Sequence, residues 1–351
     1  MEFERMNNMK KNILVLLCLA IIFTMVTAGC GTKRTEAPKE TLPASKGSSE
    51  LQKVSFVLDW TPNTNHTGIY AAKVKGYFEE EGLDVSIIQP GESSADQLVA
   101  TNTAQFGISY QEGVTFARAS GIPLVSLAAV IQHNTSGFGS LKSKGITSPK
   151  DFEGKKYGGW GSEVEAAMVK QAVKAAGGNP EKVKILTTGT TDFLQASESG
   201  QIDFAWIFEG WDYTNALNKG AEINYIPLRE LSDVFDYYTP VIVTNEDNIN
   251  NNRALVEKFM RAVQKGYQFT ISNPDAAAEY LLQLAPELNK ELVMKSQKYL
   301  ASKYKDDAPY WGMQKKEVWE KYMKWLYENK FIDSEIDVEK AFTNDFLGTG
   351  K

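Results

Sequence analysis

The chain has 351 residues, 42% of them hydrophobic and 23% charged, with a net charge of −6. That length suits two domains rather than one, and the apolar share is enough for real cores. No basic block supplies the clustered Lys and Arg that neutralise phosphates, so nucleic acid is excluded as an expected partner.

The amino end reads as an address. Met9-Lys10-Lys11-Asn12 is a short basic region, and residues 13–26 are apolar, about a signal-peptide core in length and short for a membrane span. Thr27-Ala28-Gly29-Cys30 follows and resembles a bacterial lipobox, with Thr27 where Leu is usual. The expectation is a signal peptide over 1–29, lipidation at Cys30 and a flexible tether over 30–50, which is rich in Thr, Ser, Pro, Lys and Glu. Nothing after Cys30 is a cysteine, which leaves the body without a disulfide framework or a thiolate metal site. With only His66 and His133, no metal site is expected, and no cofactor is called for.

The body opens on Val54 to Leu58, an alternating run that reads as a strand. Asp59-Trp60-Thr61-Pro62-Asn63-Thr64-Asn65-His66 forms a polar, aromatic loop, and Thr67 starts a helix to Gly76. Strands at 84–88 and 106–109 flank a helix over 94–100. The turn Tyr110-Gln111-Glu112-Gly113 leads into a helix to Ala119, and the apolar run 124–130 follows. A second unit begins near Ser148: a strand at 156–158, the turn Gly159-Trp160-Gly161-Ser162, a helix over 163–176 and a strand at 183–186. Asp192 caps a helix to Ser199, and the strand 202–206 runs into the turn Phe208-Glu209-Gly210-Trp211. Glycine, strand, helix and Gln-led strand come in the same order at 82–108 and at 178–204, which predicts two α/β lobes of like build. Val241 to Thr244 reads as a returning strand, and from Arg253 the chain is helical almost to its end.

Leu58-Asp59-Trp60-Thr61-Pro62-Asn63 with His66, then Gly76-Tyr77-Phe78, Gly82-Leu83-Asp84-Val85, Gly154 to Gly158 and the strand-turn 202–209 carry a resemblance. Over nearly the whole body the chain is similar to the solute-binding proteins of ABC importers, in the branch that binds thiamine-pyrimidine precursors such as formylaminopyrimidine. It also resembles the eukaryotic thiamine-pyrimidine synthases. The resemblance implies a two-lobed periplasmic-binding-protein fold of type II, each lobe a mostly parallel sheet flanked by helices, with the ligand between the lobes. Lobe 1 is expected over 51–135 and 241–351, lobe 2 over 136–240. It further implies an extracytoplasmic monomer that hands an aminopyrimidine to a permease driven by a separate ATPase subunit; this chain has no phosphate-binding loop. The synthases carry a cysteine-rich run before the returning strand. Here that place is Val234-Phe235-Asp236-Tyr237-Tyr238, so a binding role without catalytic residues is expected.

An aminopyrimidine is flat and carries both donors and acceptors, so its site needs aromatic faces and a few aimed polar groups. Such residues fall at the ends of the expected strands, where open α/β sheets bind ligands. They are Asp59, Trp60, Asn63 and His66; Tyr110 and Glu112; Trp160 and Glu163; Glu209; and Tyr237 and Tyr238, one of the two facing the cleft. Glu209, set among Trp206, Phe208 and Trp211, is the strongest candidate, because a carboxylate among aromatics is costly unless paired. Tyr310, Trp311, Trp319 and Trp325 are assigned to packing against the first lobe. A sulfonate, nitrate or similar binder would want Arg or Lys in these loops, which are acidic instead.

Overall fold

The computed structural model describes residues 50–189 and 192–348. The leader, Cys30 and the tether up to residue 49 lie outside the described residues.

Two five-stranded sheets organise the chain. The first takes β1 (Gln52–Val57), β2 (Leu83–Ile88), β3 (Phe106–Ser109) and β4 (Leu124–Ala129), then β10 (Val241–Asn245), in the order β2-β1-β3-β10-β4. The second takes β5 (Ser136–Leu141), β6 (Lys156–Gly159), β7 (Lys184–Thr187), β8 (Phe204–Phe208) and β9 (Ile223–Pro227), in the order β7-β6-β8-β5-β9. In the first sheet β10 runs antiparallel to both neighbours and the others point one way. In the second, β5 plays the same part. The two orders superpose strand for strand, which is the duplication visible in the sequence. The fold is the two-lobed α/β periplasmic-binding type, with both sheets mixed.

Local chemistry explains most boundaries. Helix α1 (Thr67–Val74) follows the first strand's loop, and α2 (Ala95–Ala100) starts at a capping box in which Ser94 and Gln97 bond each other's main chain. Helix α3 (Gln111–Ala119) follows β3, α4 (Glu163–Ala175) starts at Ser162, and α5 (Phe193–Glu198) is capped by Asp192, whose Oδ1 accepts from the Gln195 N–H at 2.9 Å. At the carboxyl end come α6 (Arg253–Ser272), α7 (Pro274–Leu284) with Pro274 in its first turn, α8 (Lys290–Ala301) and α9 (Lys316–Glu328). Two strands escape the sequence patterns. β5 carries Gly137 and Gly139, and a Cβ at either would strike Ile226 and Tyr225 or Ile207. Glycine stands there because a central strand is closely covered, not because the chain turns. β9 ends in Pro227, tolerable only because β9 is an edge.

Each sheet has its own core. Phe259 of α6 stacks on Phe106 at 3.8 Å between centroids and lies near Phe56 and Phe78, covering the first sheet. Trp311 stacks on Tyr267 at 4.1 Å and donates its indole N–H to the Val130 carbonyl. Trp319 stacks on Phe342, which bridges to Ser126 of β4. Trp325 departs from the expected packing. Its ring meets Phe235 edge-on, and its N–H donates to Gln171 of α4, a helix of the second sheet. Helix α9 therefore touches both halves.

Two segments join the sheets, residues 130–135 and 228–240. His133 of the first has Nδ1 2.7 Å from Asp236 of the second and Nε2 3.2 Å from Asp307, beyond α8. The hydrogen bond to Asp236 leads the effects that raise its pKa above the ordinary histidine value. Among the described residues no helix is long and apolar enough to cross a membrane.

Candidate ligand site between the sheets

A cavity of about 730 Å³ opens where the carboxyl ends of β1, β3, β6 and β8 face one another across the joining segments. Ligands of open α/β sheets bind at such ends. Its walls carry Trp60, Tyr110, Trp160, Phe193, Trp206, Phe208, Trp211 and Tyr237. They also carry five carboxylates, Asp59, Glu112, Glu165, Asp192 and Asp212, and no Lys, Arg or His among the described lining residues.

The loop after β1 is built around Asp59. Asn63 accepts the Asn65 N–H on its side-chain oxygen and donates its amide to the Thr61 carbonyl, so its polar atoms are spent on the loop's shape. The Asn63 main-chain N–H is 3.2 Å from His66 Nδ1 and donates to it, which places a ring proton on Nε2. That nitrogen stands 2.7 Å from Asp59 Oδ1, while the Tyr110 hydroxyl donates to Asp59 Oδ2 at 2.5 Å. Burial acts to raise the Asp59 pKa; the hydrogen bonds from His66 and Tyr110 outweigh it and hold the carboxyl below its usual range. Asp59 is thereby a fixed anion on the cavity wall.

Of the residues singled out in the sequence, Asp59, Trp60, Asn63, Tyr110, Glu112, Trp160 and Tyr237 line the cavity. Trp60 and Trp160 are 45% and 49% exposed, aromatic faces open to the cleft. Trp160 lies 5.2 Å from Trp206, ring to ring. Glu112 accepts from the Tyr322 hydroxyl at 2.6 Å, and burial raises its pKa. Tyr237 stacks on Tyr322 at 4.2 Å.

Four of the expected residues stand elsewhere. His66 is fully buried beneath Asp59 and reaches the cavity only through it. Tyr238 is 1% exposed, with its hydroxyl accepting from the Lys315 N–H. Glu163 is exposed on the first turn of α4, outside the cavity. Glu209 is turned away: its Oε2 accepts from the Tyr299 hydroxyl of α8 at 2.6 Å, beside a separate dent of about 300 Å³. The reason is the turn Glu209–Tyr213, a π-helical turn whose wide spacing sends Glu209 outward and brings Asp212 in.

Sequence reasoning missed Glu165, Asp212, Trp206 and Trp211 as wall residues. Glu165 is 2% exposed, accepts from the Tyr157 hydroxyl at 2.6 Å and from the Gly161 N–H at 3.2 Å, and has its pKa raised by burial. It had a readable signal, since it lies on the stripe of Val164, Met168, Val169 and Ala172 that α4 buries. Asp212 had none.

The formylaminopyrimidine-binding protein of Halalkalibacterium halodurans is 31% identical over 343 residues, 96% of this chain and 99% of that one. A 4-amino-5-hydroxymethyl-2-methylpyrimidine phosphate synthase of Legionella pneumophila is 26% identical, over 86% of this chain and 94% of its own. In fold, the periplasmic aliphatic sulphonate binding protein of Escherichia coli superposes with a TM-score of 0.65 at 14% identity, covering 83% of this chain and 91% of that one. The model of the family described as NMT1/THI5 like matches residues 63–277. With that match and a 31% identical relative spanning almost its full length, the chain belongs to the NMT1/THI5-like family.

Proposed function

We propose that the chain is the solute-binding component of an ABC importer. It captures a thiamine-related pyrimidine, of the N-formyl-4-amino-5-aminomethyl-2-methylpyrimidine class, for uptake and thiamine salvage. It works outside the cytoplasmic membrane, attached through lipid on Cys30, and hands its ligand to a permease with a separate ATPase subunit.

The observation that carries this reading is the character of the cavity wall. Aromatic faces suit a flat heterocycle, and five carboxylates with no described cation suit a ligand that donates. A sulfonate or nitrate would meet repulsion where it needs Arg or Lys. The name of the 31% identical relative agrees with this ligand class. The chain is also similar to synthases, but it has no cysteine after Cys30, which favours binding over synthesis.

Titration calorimetry against aminopyrimidines, riboflavin and an alkanesulfonate tests it. Saturable heat is expected from at least one aminopyrimidine and none from the sulfonate. Binding of riboflavin or the sulfonate with silence from every pyrimidine overturns the assignment.

A further inference from the structure

Glu165 is the most deeply buried of the five carboxylates on the cavity wall, 2% exposed. Burying a charged group is costly unless it is hydrogen-bonded. Its Oε1 accepts from the Tyr157 hydroxyl of β6 at 2.6 Å, and its Oε2 accepts the Gly161 N–H at 3.2 Å. Burial raises its pKa; the Tyr157 hydroxyl and the main-chain N–H groups of Gly161, Trp160 and Ser162 act the other way. The acid therefore faces three successive N–H groups of one turn, a concave arrangement suited to an anion.

The turn is built to receive it. A Cβ at Gly159 would come within 2.4 Å of Glu165 Oε1, so glycine there is what lets the carboxyl lie against the main chain. Gly161 has a φ of +98°, a conformation that side chains other than glycine's rarely adopt. The Gly159 carbonyl accepts the Thr188 N–H at 2.8 Å, which fixes the turn's first residue to the chain after β7. Trp160 stands between the two glycines, 49% exposed, and among the described residues its ring meets one other, that of Trp206. An exposed aromatic flanked by glycines wanders unless its main chain is held. A binding face pre-set before the ligand arrives saves the cost of ordering it on binding.

We propose that Glu165 is a positioning residue of the ligand site: it pins the turn 159–162 and so holds the Trp160 indole as a fixed stacking face for the pyrimidine ring. Both of its oxygens are engaged by the protein, so the acid acts through Trp160 and not on the ligand itself. The stacking half of this rests on the aminopyrimidine reading; the pinning half does not.

The experiment has a ligand-free arm and a ligand arm. In the first, the protein is labelled with 5-fluorotryptophan, and the Trp160 fluorine signal is identified by its loss in Trp160→Phe. Wild type should give one sharp Trp160 signal. Glu165→Leu, which fills the space but offers no acceptor, should broaden or split it. Glu165→Gln, which keeps an acceptor oxygen for the Gly161 N–H, should restore it. In the second arm, affinity for N-formyl-4-amino-5-aminomethyl-2-methylpyrimidine is measured in wild type, Glu165→Leu, Trp160→Ala and the double variant, with a thermal melt of each. Trp160→Ala and Glu165→Leu should each weaken binding about tenfold. The double variant should be no weaker than Trp160→Ala alone, within about twofold. Losses that multiply overturn the role, because the acid then acts apart from Trp160. So does a Trp160 signal unchanged in a folded Glu165→Leu, or one already broadened in wild type. The wild-type spectrum decides even if Glu165→Leu fails to fold. Should no aminopyrimidine bind wild type, the ligand reading fails, while the fluorine spectra still decide whether Glu165 holds Trp160.

Discussion

Asp59 keeps its negative charge because two donors are aimed at it, one of them buried beyond any ligand's reach. A carboxyl whose pKa is lowered in the folded state contributes stability above the unfolded value of about 3.9, and loses it as pH falls through the folded value. Asp59→Asn should therefore cost about 1.5–3 kcal/mol at neutral pH, the range for hydrogen bonds to a charged group. The gap to wild type should close as the solution is acidified below about 3.9. Urea unfolding at several pH values measures this, and a gap that stays constant with pH would remove the linkage. At this scale the sequence was readable where a residue follows a strand directly: Asp59, Trp60, Tyr110 and Trp160 all line the cavity. It was unreadable where two acids lie a few residues apart. Whether Glu163 or Glu165 faces inward depends on the phase set by the Ser162 cap. Whether Glu209 or Asp212 does depends on a π-helical turn that no periodic pattern announces.

Helices α1 and α6 approach so closely that a Cβ at Gly68 would lie within the Tyr267 ring, and one at Gly266 would strike the Gly68 carbonyl. Tyr267 is held by stacking on Trp311 and by its hydrogen bond to the Asn65 carbonyl, so it has little freedom to retreat. Gly68→Ala should cost about 1–3 kcal/mol as overpacking. The expected reading is a lower urea midpoint with an unchanged slope; an unaltered midpoint would mean that the helices separate freely. The same close approach explains what the elements disclosed and what they hid. Periodic apolar residues gave away α6 and α9, whose buried faces are continuous. β5 stayed hidden because its glycines answer to neighbours far along the chain, Tyr225 and Ile207, and not to its own local pattern.

Between the halves, the Glu209–Tyr299 hydrogen bond and that of Lys295 to Asn218 tie β8's turn and the following helix to α8, while Trp325 ties α9 to α4. The two-lobed plan was legible because the order of elements repeats; the ties were not, because each joins residues whose meeting depends on how the halves sit. At the scale of the whole molecule in its cell, the proposed lipid attachment is open to a direct test. Cys30→Ala should move the protein out of the membrane fraction, and wild type should carry lipid on Cys30. Unchanged membrane retention of the variant, with no lipid mass on wild type, would refute attachment at that residue.

β3 and β4 do not pair with each other; β10 lies between them. Every strand of the second sheet, by contrast, comes from one uninterrupted stretch, 136–227. A chain emerging amino end first can therefore finish the second sheet while the first still has an open seam along β3. That seam closes only when residues 241–245 arrive, more than a hundred residues after β4. Until then β3 presents a bare edge, the kind of surface that recruits the wrong strand. For this chain the late arrival of β10 makes the stretch of synthesis between β4 and β10 the hazardous part.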